Sequence, residues 1–255
     1  MARSHRWKPR EVWTMYATWA LLMLGPAVVS AGCGMPEADR ASEARVRVES
    51  ALAETCEELR VTYPPRVVHF RAFKRERELE TWIGNAPTKL VRLRTDTIAG
   101  LSGELGPKRR EGDRQVPEGV YVVDRFNPKS RFHLSLGINY PNASDRVFAD
   151  ADRPGSDIFI HGGTASIGCL AMTDPVIESL YTLARGAKSP VTVHLFPCRF
   201  PHDARPESEL WRQLAEIQRD FSAAPRVQRV EITRSGAYRL RRSRSREAAH
   251  DDSRG

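Results

Sequence analysis

The sequence predicts a mainly β fold with accessory helices, an α+β domain whose strands make a sandwich or curled sheet, with one helix N-terminal and another C-terminal to it. Three observations predict it. Many short β-prone runs lie between Val67 and Phe196, turn-forming residues separate them, and only three segments carry helical spacing. At 255 residues, 40% hydrophobic and 28% charged, the chain accommodates one main domain with a real core. That composition excludes a disordered tract or a multi-span membrane protein.

Taken in order, Arg3, Arg6, Lys8 and Arg10 precede an almost uncharged run from Val12 to Val29, and Ser30, Ala31 and Gly32 lead into Cys33. Residues 1–32 therefore read as a signal peptide or, alternatively, an uncleaved membrane anchor. Either places the rest outside the cytoplasm. The small-Gly-Cys ending resembles a lipobox, in which Cys33 would be acylated. Residues 33–65 read as a polar linker (Glu37 to Ala44) and an amphipathic helix (Ala44 to Leu59) that buries Cys56 and stops before Tyr63-Pro64-Pro65.

Residues 66–200 carry the strand texture: Val67 to Phe73, Leu79 to Ile83, Leu90 to Ile98, Val120 to Val123, Phe132 to Ile138, Ile158 to Ile160 and Val191 to Phe196. Within them a helix starts at Asp174, read as its N-cap, with Pro175 next and Gly186 as its stop. Residues 201–224 hold the C-terminal helix, Glu207 to Phe221. Residues 225–255 are arginine-rich with little apolar content and read as a basic disordered tail.

The formal charge of +8 favours anionic partners, with nucleic acid, anionic lipid and an acidic wall polymer all compatible. Export argues against nucleic acid. Beyond the leader only Cys56, Cys169 and Cys198 remain, too few for a disulfide-stapled scaffold, so at least one thiol stays unpaired.

The chemistry concentrates in Asp157-Ile-Phe-Ile-His161-Gly-Gly-Thr-Ala-Ser166-Ile-Gly168-Cys169-Leu-Ala-Met-Thr-Asp174-Pro175. A buried-type strand delivers His161, small residues follow, and Cys169 precedes a helix. Acyl transfer needs a thiolate, a base to make it and donors for the oxygen that becomes negative. His161 is the nearest base, and the amides of Gly168 and Cys169 are the natural donors. Spacing alone leaves buried structural roles equally open.

This stretch resembles the signature of L,D-transpeptidase catalytic domains of the YkuD family, and looks closest to their YafK-like branch through Ser166-Ile167-Gly168-Cys169 and Ala171-Met172-Thr173-Asp174. Leu105 to Lys108, Glu111 to Gly119 and Leu136 to Pro141 extend the resemblance, which spans roughly Val67 to Phe200. It implies a YkuD-like β-sandwich that needs no cofactor and no metal. Cys169 would be the nucleophile, His161 its base, Gly168 an oxyanion donor and Ser166 the residue that orders the loop. Lys108, Arg114, Tyr140, Arg146 and Gly162 would hold the acidic stem peptide. Ile167 departs from the commoner signature, which has histidine there. The implied location is the periplasmic cell envelope, the implied partners peptidoglycan stem peptides and a wall-linked lipoprotein, with membrane attachment through the N-terminus.

Two rival readings remain. His161, Cys169, His194 and Cys198 could together ligate structural zinc, although His194 sits beside Val193 and Leu195 in an alternating strand. A catalytically degenerate wall-binding lipoprotein is the other, resting on Ile167 and the basic C-terminus.

Overall fold

A computed structural model describes residues 39–201, 206 and 208–241. The leader, Cys33 and residues 242–255 lie outside the described residues. Asp39 caps helix α1 (Arg40–Glu58) by accepting from the Ser42 amide, so residues expected to be linker are already helical from Arg40. Ala44, Leu52 and Cys56 form its buried stripe.

Eight strands follow: β1 (Val67–Phe73), β2 (Glu78–Ala86), β3 (Lys89–Thr97), β4 (Gly119–Asn127), β5 (Ser135–Ile138), β6 (Phe159–His161), β7 (Leu170–Ala171) and β8 (Thr192–Phe196). They join in one mixed sheet of order β3-β2-β1-β8-β4-β5-β6-β7. The pairs β1–β8 and β6–β7 are parallel. Helix α3 (Asp174–Gly186) carries the chain from β7 at the edge back to β8, which inserts between β1 and β4. The short helix α2 (Ala143–Phe148) has a complete capping box built on Asn142 and Asp145.

Every residue of β1 is buried, because the sheet is covered on both faces there. Val68, Phe70 and Ala72 join the main core with Leu52, Cys56, Ile177 and Leu180 of α1 and α3. Phe73 faces a second core with Phe196, Cys198, Leu214, Ile217 and Tyr238, under helix α4 (Glu209–Ala223).

The expected disordered tail needs correction over its described part. Strands β9 (Val230–Ile232) and β10 (Tyr238–Leu240) pair as a hairpin. Val230, Ile232, Tyr238 and Leu240 pack on the second core while the intervening charges face outward. Tyr238 is tied down as well, its amide to Gln213 and its hydroxyl to Asn142. Among the described residues no helix is long and apolar enough to cross a membrane.

Candidate active site

The register of β6 against β7 sets Ile160 beside Leu170 and His161 beside Ala171. Cys169, one residue before β7, therefore comes level with Phe159. Its Sγ lies 3.4 Å from the Phe159 amide and 3.7 Å from the Asp157 carbonyl. His161, at the far end of β6, and Cys169 line one cleft of about 440 Å³ together with Phe132, Phe159, Ser166 and Ile167.

The imidazole has a defined tautomer. Nδ1 is 2.6 Å from the Gly162 carbonyl, which can only accept, so Nδ1 carries the proton and Nε2 keeps its lone pair. The Phe132 ring lies over the imidazole at 4.6 Å between centroids. Burial pushes His161 below the usual imidazole range, against the hydrogen bond to Gly162, which raises it. Burial pushes the Cys169 thiol up, while the Phe159 amide and the charge of Lys108 pull it down. Burial thus favours the neutral form of each group.

Ser166 clasps the backbone of Cys169. Its Oγ accepts from the Cys169 amide at 3.0 Å and donates to the Cys169 carbonyl at 2.6 Å. The Gly168 amide donates to Ser102 Oγ at 2.6 Å, and that hydroxyl donates to the Arg114 carbonyl at 2.8 Å. Both amides expected to await an acyl oxygen thus already have acceptors. Gly168 has φ of +88°, a conformation other residues adopt at a cost. Asp174 is the first residue of α3 rather than its cap, which is Thr173. Its Oδ1 instead accepts from the Gly163 amide at 2.8 Å, pinning the loop after His161 to the helix.

The residues expected to hold substrate scatter. Lys108 is 5% exposed and its Nζ is committed to the Arg110 carbonyl and to Asp113 Oδ1 at 2.6 Å, because that carboxylate organises its own loop. Tyr140 is buried with its hydroxyl on the Pro154 carbonyl. Gly162 is buried, and its amide donates to the Phe132 carbonyl. Arg146 is exposed on α2 and lines neither cleft. Arg114 alone of the five is an exposed side chain at the site: it lines a second cleft of about 140 Å³ with Glu111, Asp157 and Ile167. Ile167, 76% exposed, borders both clefts.

Sequence reasoning missed Ser102 and Phe132, which reach the site across long chain separations. Nor does the structure gather the four zinc candidates. His194 is buried edge-on to His69, Cys198 lies in the second core, and among the described residues no cluster of His, Cys, Asp or Glu is placed to hold a metal.

The L,D-transpeptidase catalytic domain model, YkuD, matches residues 74–193. This segment is similar to the YkuD family. The match contains every strand from β2 to β7 and both residues that face the cleft with reactive groups. Two curated relatives, each named putative L,D-transpeptidase YafK, from Escherichia coli K12 and O157:H7, are 34% identical over 159 residues, which is 58% of this chain and 63% of theirs. The chain thus spans less than two thirds of their length. Among solved structures, the helical cell shape determining protein Pgp2 of Campylobacter jejuni is similar at 17% identity and a TM-score of 0.43, over 66% of this chain and 73% of that one. Bd1075 of Bdellovibrio bacteriovorus is similar at 21% identity and a TM-score of 0.40, over 64% of this chain and 56% of that one.

Proposed function

We propose that this chain is a cell-envelope cysteine acyltransferase that takes acyl groups from peptidoglycan stem peptides as a thioester on Cys169. The observation that carries the reading is that His161, with Nδ1 held by the Gly162 carbonyl and Nε2 left with its lone pair, lines the same cleft as Cys169. Similarity of residues 74–193 to the YkuD family model, and relatives named as putative L,D-transpeptidases, support the substrate class.

In the proposed reaction His161 Nε2 accepts the thiol proton as Sγ bonds to the carbonyl carbon of the third stem residue, a diaminopimelate. The developing oxyanion turns to the Gly168 and Cys169 amides as the Ser102 and Ser166 hydroxyls rotate away. One such donor contributes roughly 3 kcal/mol to the transition state. The C–N bond then breaks, and the departing amine takes the proton from His161. An incoming amine attacks the thioester, gives its proton to His161 and regenerates the thiol. Arg114 is the proposed partner for a carboxylate of the acidic stem, since its cleft adjoins Cys169 through Asp157 and Ile167.

Water in place of the amine makes the same site a hydrolase that releases a wall-linked lipoprotein. Ile167 favours this second reading, because an exposed apolar side chain offers no polar group to bind and orient an incoming amine. The location proposed is the periplasm, with attachment through Cys33.

Incubating the mature protein with diaminopimelate muropeptides and a lipoprotein-linked sacculus, and reading products by mass, separates cross-linking, attachment and release. Cys169→Ala should abolish all of them, and a carbapenem should form an adduct with Cys169. Turnover that survives Cys169→Ala overturns the assignment, and absence of both turnover and adduct points to a wall-binding role.

A further inference from the structure

The base is held on two sides. The Gly162 carbonyl fixes one edge of the His161 ring, and the Phe132 ring covers its face. Phe132 belongs to the loop between β4 and β5, and its backbone is fixed at both ends: the amide donates to Ser130 Oγ at 3.1 Å, and the carbonyl accepts from the Gly162 amide at 3.0 Å. His133, next in the chain, has φ of +67°, a conformation a non-glycine residue keeps only when its surroundings impose it.

Further contacts on this loop come from α1. Arg40 Nη1 donates to the Ser130 carbonyl at 2.7 Å and to the His133 carbonyl at 2.5 Å, bracketing Phe132 from across 90 residues of chain. Two turns further along the helix, Arg47 pairs with Glu178 of α3 at 2.7 Å, and Glu178 also meets His133 Nε2 at 2.7 Å. One helix thus grips the loop directly and through a relay on α3. Neither arginine lies within residues 74–193, the segment that matches the family model.

We infer that Arg40 is a positioning residue for the base, holding the Ser130–His133 loop so that Phe132 keeps the His161 ring aimed at Cys169. α1 does not need Arg40 to dock, since Ala44, Leu52 and Cys56 bury it in the core. The inference rests on His161 being the base, and its test separates the two.

In the full chain, the rate at which a haloacetamide alkylates Cys169, resolved peptide by peptide, is measured against pH for wild type, Arg40→Ala, Arg40→Lys and His161→Ala. Arg45→Ala, which removes an exposed pair with Glu49 on the same helix, is the control. Melting temperatures are recorded alongside. Arg40→Ala should slow alkylation at neutral pH by roughly tenfold, in keeping with the cost of misplacing a reacting group. Arg40→Lys should restore most of the rate, and Arg45→Ala should leave it unchanged. Combining Arg40→Ala with Phe132→Ala should be no slower than Phe132→Ala alone, because both act through one ring. A wild-type rate in Arg40→Ala beside a slow His161→Ala overturns the inference and leaves the base in place. A fast His161→Ala removes the base and the inference with it. A slow Arg40→Ala that Lys does not rescue, accompanied by a large fall in melting temperature, reduces Arg40 to a structural contact and overturns it also.

Discussion

Cys169 and His161 sit in surroundings that push each toward its neutral form, and that decides how the pair can work. Burial raises the thiol and lowers the imidazole, which disfavours a standing ion pair between them. In the proposed reaction the thiolate is made only when the proton has somewhere to go and an electrophilic carbon is present to receive the sulfur. The consequence is measurable in ultraviolet absorbance, with Cys169→Ala subtracted. Thiolate should grow in at alkaline pH, above the range of a free cysteine, with no step between roughly pH 3.5 and 7.5, where ion-paired catalytic cysteines ionise. A step in that acid range would mean a preformed thiolate–imidazolium pair and would contradict the burial argument. At this scale much was legible in the sequence. Ser166, Gly168 and Cys169 lie within four residues, so small size and local hydrogen bonding could be read directly. Ser102 was invisible, because its only claim on the site is a hydrogen bond to Gly168 66 positions away.

The elements around the pair are organised by carboxylates that tie loops to one another. Asp174 holds the loop after His161, and Asp113 holds the loop that carries Arg114, taking Lys108 Nζ and the amides of Arg109, Arg110 and Gln115. Partial burial alone would raise Asp113, but Lys108 and those amides bring it down to about 2. Four bonds, one of them to a charged partner, concentrate on one side chain. Asp113→Ala should therefore cost about 2 kcal/mol in urea unfolding, the scale of losing charged hydrogen bonds, and should open residues 101–118 to limited proteolysis. Unchanged stability and an uncut loop would show that the loop is held by its backbone alone. The sequence announced this loop by its charges and glycines, and Lys108 was assigned to substrate because an isolated lysine carries no mark of an internal partner five residues on. The C-terminal hairpin was more legible than it was read. Apolar residues at 230, 232, 238 and 240 alternate, and Ser235-Gly236 marks the turn, but the arginines between them mimic the composition of a solvated tail.

Across the whole molecule, acid stability follows from a polar layer buried between the sheet and α4. His69 and His194 face each other there with ring centroids 4.5 Å apart, packed against Phe221 and Phe196, with Arg71, its partner Glu80 and Thr192 nearby. Strand alternation revealed that these positions point one way; that the direction was inward appears only once α4 covers them. Burial lowers His194 to about 3, with the charge of Arg71 adding to it, and lowers His69 well below its usual range. Both histidines take up protons more readily in the unfolded chain, so stability falls as pH drops from the unfolded value near 6.5 toward 3. The slope is up to about 1.4 kcal/mol per pH unit for each. Asp145 opposes them. Burial raises its carboxyl to about 6, so between there and the unfolded value of 3.8 the folded state binds the extra proton and gains stability as pH falls. Three histidines, His161 being lowered by burial as well, against one carboxylate leave a net loss. Urea midpoints should therefore drop steadily between pH 6.5 and 4, and His194→Leu, which removes one titrating ring while keeping an apolar filler against Phe196, should flatten that limb. If the variant and wild type lose stability in parallel, protons are entering elsewhere, and the buried histidines are not what limits the fold in acid.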